Sequence, residues 1–139
     1  MGIPHAPETN QQTAVVSRTV TADTTFPVVV AKGTIDIESC EIVCVAAIAT
    51  HAANTVAISL VNLGTGGAGT TVVATGAIAT AGNAVTALAP KNVPVTAANQ
   101  QLTDGQALGF IWDEANTDVA NADLTVSVRY TQVTAPGQT

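Results

Sequence analysis

The sequence predicts an all-β domain, a two-sheet antiparallel sandwich or jelly roll of about eight strands, preceded by an extended N-terminal arm. Three observations predict this fold. Short runs rich in Val, Ile and Thr alternate with turn signals about every dozen residues. No segment has the period of a long amphipathic helix. The 139 residues match the size of one domain, so we expect a single hydrophobic core.

The chain opens with residues 1–13, which we expect to form an extended arm. This segment carries Pro4 and Pro7 and shows no hydrophobic period. The first two β-rich runs follow it, at Ala14–Val20 and Phe26–Ala31, separated by polar residues. Both are predicted to be strands of the domain.

The middle of the chain predicts one long strand and one hairpin. The run Ile35–Thr50 is apolar on both faces after Cys40, which favours a central position in a sheet. Thr55–Leu63 is a second strong strand. The glycine-rich segment 64–69 then forms a loop, and Thr70–Ala79 returns as the partner strand.

Three further strands are predicted, at Ala84–Ala89, Gln106–Trp112 and Asp123–Thr131. The last alternates strictly, which is typical of a half-buried antiparallel strand. Its apolar positions are Leu124, Val126, Val128 and Tyr130. We therefore expect the domain to span residues 14–132 and residues 133–139 to form a flexible C-terminal tail.

Charged residues are scarce in this chain. They make up 10% of it, against about 25% in an ordinary soluble domain. Small and uncharged polar residues take their place, and aromatic residues account for only 3%. Because the cores of subunit interfaces are depleted in charge, we interpret the composition as that of a surface largely covered by other subunits. The alternative is a threonine-rich surface that stays bare.

Nucleic acid and membrane are both disfavoured as partners. The net charge is −6, and the cationic side chains are only Arg18, Lys32, Lys91 and Arg129. Phosphate neutralisation needs clustered cations, which four scattered residues do not provide. The longest apolar run, residues 43–49, is far too short to span a bilayer. Because residues 1–12 carry no secretory signal, we expect assembly in the cytoplasm.

Cys40 and Cys44 are the only cysteines. At positions i and i+4 of one strand they share a face but lie about 13 Å apart. A disulfide needs Cα atoms within about 7 Å, and no His or Cys cluster accompanies them to bind zinc. We expect two buried thiols that pack as small hydrophobic groups.

No catalytic, cofactor or metal site is predicted, and we expect the protein not to be an enzyme. His51 is the only histidine outside the arm, and we interpret it as a polar residue at a strand end. A serine nucleophile needs a histidine base and usually an exposed turn. The serines all fall inside predicted strands: Ser17, Ser39, Ser59 and Ser127.

Two loops have compositions that could suggest a ligand-binding site, but a simple turn is the favoured interpretation of each. Segment 64–69 lacks the Lys-Ser/Thr pair and the helix of a phosphate-binding loop, so we expect a hairpin loop. The acidic stretch 113–123 fits no EF-hand spacing. We favour a solvated turn there and keep a calcium site as the alternative. Its carboxylates are Asp113, Glu114, Asp118 and Asp123.

The order of features over residues 14–131 resembles the head decoration, or cement, proteins of tailed bacteriophages. The segments that carry the resemblance are AVVSRTV at 14–20, VAISLVNLG at 56–64, GTGGAGT at 64–70, PKNVPV at 90–95, LTDGQAL at 102–108 and LTVSVRY at 124–130. These are strand and turn patterns, not chemical signatures.

The resemblance implies a jelly-roll-like homotrimer on the outer surface of a phage capsid, in the virion. Its partner would be the major capsid protein, which the arm at residues 1–13 would grip to stabilise the shell. Two alternatives stay open. One is another structural or adhesive module, such as a head fibre, tail or spike component. The other is a jelly-roll enzyme, which would need clustered histidine and carboxylate ligands.

Overall fold

Two antiparallel sheets packed face to face make up the domain. The computed structural model describes residues 10–21, 23–51, 53–78, 83–115 and 122–133. Within these ranges the elements are β1 (Gln11–Val20), β2 (Thr24–Val30), β3 (Ile35–Cys44), β4 (Thr55–Gly64), β5 (Thr71–Ile78), β6 (Pro90–Asn92), a 3₁₀ turn (Ala97–Asn99), β7 (Gln101–Leu102), β8 (Ala107–Ala115) and β9 (Ala122–Gln132). No helix of these ranges is long and apolar enough to cross a membrane.

The strand order is that of a jelly roll. The first sheet runs β1-β9-β3-β6, and the short β7 also pairs with β3. The second sheet runs β2-β8-β4-β5. Most successive strands change sheet, whereas β4 and β5 form a hairpin within the second one. This topology confirms the predicted two-sheet antiparallel sandwich.

The run predicted at Ile35–Thr50 is central, as expected, but shorter. β3 lies between β9 and β6 in the first sheet and ends at Cys44, which pairs with Leu124. The chain then crosses towards the second sheet, and Val45 is 59% exposed. Beyond it, Ile48 makes only an isolated bridge. The sequence stays apolar across a change of sheet, which is why the predicted strand was too long.

The strand predicted at Ala84–Ala89 is wrong. Val85 forms only the isolated bridge to Ile48, and the regular strand β6 starts at Pro90. Leu88 explains the difference, because its φ of 60° lies in the left-handed region that breaks an extended run. Its backbone N–H donates to the Cys44 carbonyl at 2.8 Å, which holds the turn against the end of β3.

β1 begins at Gln11, three residues before the predicted strand start at Ala14. The reason is that β9 continues to Gln132 and offers partners that far, with Gln11 opposite Thr131. The rest of the predicted arm, residues 1–9, lies outside the described residues, as does the predicted tail from residue 134.

The core fills the space between the sheets. Its largest fully buried side chains are Trp112, Phe26 and Phe110, and the two phenylalanine rings lie 5.2 Å apart across the β2–β8 pair. The alternation predicted for the last strand is confirmed, since its inward Leu, Val and Val side chains are buried and Tyr130 is half-buried. Within the described ranges, no polar or charged residue is buried.

Candidate interaction surfaces

The outer face of the first sheet is polar. Hydroxyl groups line neighbouring strands there, and the Ser17 and Thr125 oxygens share a hydrogen bond of 2.9 Å between β1 and β9. At the β3 edge, the Gln101 amide donates to Asp36 at 3.1 Å. The register also places four charged side chains on this face: Asp36, Glu41, Asp123 and Arg129. Such a face is suited to contact with water.

The outer face of the second sheet carries an apolar region by contrast. A depression of about 360 Å³ lies on it, lined by the apolar Ala57, Val61, Val72 and Ile111 together with the polar Ser59, Thr70, Thr75 and Asp113. Val61 is only 5% exposed, yet among the described residues it does not belong to the core between the sheets. The Val61 side chain is therefore buried by neighbouring residues on the outer face of the sheet.

Leu63 extends this apolar region towards the end of β4. A Cβ added at Gly109 would stand 2.6 Å from Leu63 Cδ1, so the leucine side chain lies directly over that glycine. Gly109 pairs with Val61 in the sheet, on the outward-facing side of β8. We define Val61, Leu63, Val72 and Ile111 as the outer apolar cluster.

Sequence reasoning missed this cluster, although β4 carries a signal for it. Val56, Ile58 and Leu60 are buried and face the core. The alternate positions of the same strand should then be polar if that face met only water. Three of these four positions are apolar instead, Ala57, Val61 and Leu63, and only Ser59 is polar. Apolar residues at the solvent-facing positions of an alternating strand are the signal.

A third surface lies where the described chain begins and ends. A depression of about 380 Å³ is lined by Asn10, Gln12, Val30, Lys32, Ile35, Tyr130, Gln132 and Val133. The Tyr130 hydroxyl donates to the Gln12 amide oxygen at 2.9 Å, and the Gln132 amide donates to the Lys32 carbonyl at 2.7 Å. We call this surface the terminal groove. Its lining combines apolar side chains with one cation, Lys32.

His51 holds a loop together. The backbone N–H groups of Ala53 and Asn54 donate to its Nδ1, at 3.0 and 2.8 Å. The residue is exposed and lies in the connection between β3 and β4, not at a strand end, because β3 stops at Cys44. The four serines lie inside strands β1, β3, β4 and β9, as predicted.

Both cysteines are buried and free, as predicted. Burial, followed by the neighbouring Glu41 carboxylate, raises the pKa of the Cys40 thiol to about 12. Burial also raises the pKa of the Cys44 thiol. Because the thiolate is the reactive form of cysteine, both side chains are chemically quiet in the folded protein and serve packing.

The glycine-rich segment 64–69 closes the β4–β5 hairpin, as predicted. The Gly69 N–H donates to the Leu63 carbonyl at 2.8 Å. A Cβ at Gly69 would stand 2.4 Å from the Asn62 carbonyl oxygen, so only glycine fits there. Gly64 and Gly67 have positive φ angles of 69° and 79°. The loop leads directly into a strand, and its glycines serve the turn.

The acidic stretch is divided between two strands. Glu114, on β8, accepts a hydrogen bond from Trp112 Nε1 at 2.9 Å, and its backbone N–H donates to Asp23 at 2.9 Å. Asp123, on β9, accepts from the Thr19 hydroxyl. Asp118 lies outside the described residues. In the part of the chain that the structure describes, no three His, Cys, Asp or Glu residues are grouped to hold a metal ion.

The fold is similar to that of a chain in the capsid asymmetric unit of cyanophage Pam1. The TM-score is 0.56 at 18% sequence identity, over 94% of this chain and 91% of that one. A chain of the infectious bursal disease virus Gx strain gives a TM-score of 0.38 at 14% identity, over 99% of this chain and 37% of that one. The second value is too low to support an argument.

The sequence matches no protein-family model and no curated protein. At 18% identity, the likeness to the cyanophage chain establishes the fold. It extends over nearly the whole of both chains, so it concerns the complete sandwich and not one hairpin of it. The chain therefore adopts a β-sandwich fold that is also found in a cyanophage capsid.

Proposed function

We propose that this protein is a non-enzymatic virion component that binds the outer surface of a phage capsid as a homotrimer and stabilises the shell. The observation that supports this best is the likeness to a chain of the cyanophage Pam1 capsid over 94% of this chain. The likeness also covers 91% of that chain.

The terminal groove gives the proposed arm a starting point on the domain. Asn10, the first described residue, lines this groove. The nine residues before it, fully extended, span at most about 30 Å. Ordering the arm costs conformational entropy, which contacts over a long path on the major capsid protein would offset.

The charge of the chain supports the outer surface over the inner one. The net charge is −6, which disfavours a location against packaged nucleic acid. One of the few cations is also engaged within the domain, because the Arg18 guanidinium lies 5.1 Å from the centre of the Phe26 ring. Such a cation–π contact reduces its availability for phosphate.

Stabilisation of the shell follows from mass action. A protein that binds the assembled shell and not its separated subunits shifts the equilibrium towards the shell. The test is to co-express this chain with the major capsid protein of the virus that encodes it, and to sediment the assembled shells. We expect saturable co-sedimentation, access of the bound protein to added antibody, and shells that dissociate at a higher temperature. Shells that sediment without the protein would overturn the proposal.

A further inference from the structure

We propose that the outer face of the second sheet is the surface through which copies of this chain contact each other. This inference rests on the self-association in the proposed function. Contact between the same face of two copies gives a pair, so the solution mass measured below also tests whether the proposed oligomer is a trimer. Its partner is a second copy of the same chain. The supporting observations are the outer apolar cluster on this face, the position of its one lining carboxylate at the rim, and its size.

The apolar character is concentrated in the outer apolar cluster. Val72 is 40% exposed, and Val61 is nearly buried on the outside of the sheet. Leu63 covers Gly109 beside them. Ala57 and Ala77 extend this region as small apolar residues that pair across β4 and β5, and Ser59, Thr75 and Asp113 are its polar neighbours. A contiguous apolar patch of this kind is typical of an interaction site.

The first sheet provides the comparison within the same domain. Its outer face carries hydrogen-bonded hydroxyl groups together with carboxylates and a guanidinium, including Asp36, Glu41 and Arg129. Both sheets cover the same core, so the core does not explain the difference between their outer faces. The outer apolar cluster on the second sheet indicates a partner on that side.

Charge favours a second copy as that partner. Each chain has a net charge of −6, so two copies repel each other unless they meet through a region without apposed acids. The outer apolar cluster offers such a region. Asp113 is the carboxylate that lines its depression, and it pairs with Ala57, one outward position beyond Ile111 along β8. There it belongs to the rim, where charges stay hydrated.

The face is large enough for a stable contact. Four strands spaced about 4.8 Å apart give a width of about 19 Å, and a ten-residue strand such as β4 is about 33 Å long. The product is about 600 Å² on each copy, or about 1,200 Å² for two copies. Specific interfaces begin at about 1,000 Å² in total. Homo-oligomer interfaces are also more apolar than transient ones, as this face is.

The test uses two single variants, each of which introduces one negative charge on the outer face of one sheet. Val72→Glu changes the second sheet, and Val15→Glu is the matched control on the first sheet. Both valines lie in strands and are exposed, at 40% and 60%, so both substitutions are compatible with folding. Solution mass is measured by size exclusion with light scattering at low micromolar concentration. We expect the wild-type protein and V15E to be oligomers, and V72E to fall to the chain mass of 13.9 kDa.

Three results would overturn the inference: a monomeric wild-type protein, an oligomer that V72E leaves intact, or an oligomer that V15E dissociates. Far-UV circular dichroism checks that each variant is folded. If V72E fails to fold, Thr75→Glu tests the same face, because Thr75 is exposed and lines the same depression.

Shell binding separates this inference from the proposed function. If V72E remains an oligomer and wild-type protein binds shells, the interface assignment fails and the proposed function stands. If V72E dissociates and wild-type protein does not bind shells, the interface assignment stands and the proposed function fails.

Discussion

Leu63 and Gly109 form a close pair on the outside of the second sheet, where a Cβ on the glycine would stand 2.6 Å from the leucine Cδ1. The two residues lie on neighbouring strands, β4 and β8. Glycine is usually unfavourable inside a strand because it loses more backbone entropy than other residues. Here its missing side chain makes room for Leu63, so that the leucine can lie flat against the sheet.

We therefore expect Gly109→Ala to lower the free energy of unfolding by about 1–3 kcal/mol, the usual range for overpacking a filled site. The new methyl group would push the Leu63 side chain away from the sheet. Urea unfolding followed by circular dichroism measures the effect. In the double variant with Leu63→Ala, the cost of the alanine at 109 should largely disappear. Additive effects of the two substitutions would contradict the close contact.

Gly69 is expected to be the more sensitive glycine of the hairpin loop. In Gly69→Ala, the Cβ would stand 2.4 Å from the backbone carbonyl oxygen of Asn62, and backbone cannot swing aside as a side chain can. We expect a loss of about 1–3 kcal/mol in unfolding free energy. The measurement is the midpoint of urea denaturation.

Gly66→Ala is the matched control for this substitution. Nothing lies within 4 Å of a Cβ at Gly66, and its φ angle is not positive. Alanine there should be neutral or stabilising by up to about 1 kcal/mol, because it restricts the unfolded chain. Equal losses for the two variants would show that the loop does not have this backbone geometry.

Cys40 should give the stability a dependence on alkaline pH. Its pKa is about 12 in the folded protein, against an ordinary value of 9.0. Below pH 9 the thiol is protonated in both the folded and the unfolded state, so it gives the unfolding free energy no pH dependence. Between pH 9 and pH 12 only the unfolded state releases the proton, so stability falls with rising pH, by about 1.4 kcal/mol per pH unit.

The Cys40→Ala variant lacks this contribution. We expect its unfolding free energy to fall less steeply than that of the wild-type protein between pH 9 and pH 10.5, when both are measured in urea. The cost of the smaller side chain is the same at every pH and does not affect the slopes. Parallel slopes would mean that Cys40 titrates normally in the folded protein.

Removal of residues 1–9 should separate folding from shell binding. The truncation leaves all of β1, whose residues from Gln11 onwards pair with β9. We expect a thermal midpoint within a few degrees of the full chain and a loss of at least tenfold in affinity for shells. Co-sedimentation at increasing protein concentration measures that affinity. Undiminished binding would contradict the role of the arm. A deletion of residues 1–13 would be a poorer test, because it also removes the first part of β1.

The elements that the sequence predicts well are those with a regular period. In β9, Leu124, Val126 and Val128 alternate with polar residues because one side of the strand meets the core and the other side meets water. The difference between the two sides of the strand therefore appears directly as alternation in the sequence. The β4–β5 hairpin is equally predictable, because its turn needs glycine at three closely spaced positions, Gly64, Gly67 and Gly69.

The errors have equally local causes. β6 and β7 have three and two residues, which is too short for any period to show. Leu88 adopts a left-handed conformation that is unusual for leucine, so composition does not reveal the break before β6. The outer apolar cluster escaped notice for a different reason. Val61 and Leu63 look like core residues until the pairing shows which side of β4 they occupy.

The hydrogen bond from the Gln132 N–H to the Asn10 carbonyl, at 2.9 Å, brings the two ends of the described chain side by side. The described chain therefore begins and ends at the same pole of the sandwich. The β3–β4 connection lies at the opposite pole, since β3 runs from Ile35, beside Gln132, to Cys44, beside Leu124. A peptide joined directly before Asn10 or after Val133 would therefore emerge next to the other end of the described chain. One inserted in the β3–β4 connection would point the opposite way, which makes the sandwich a two-sided platform for display.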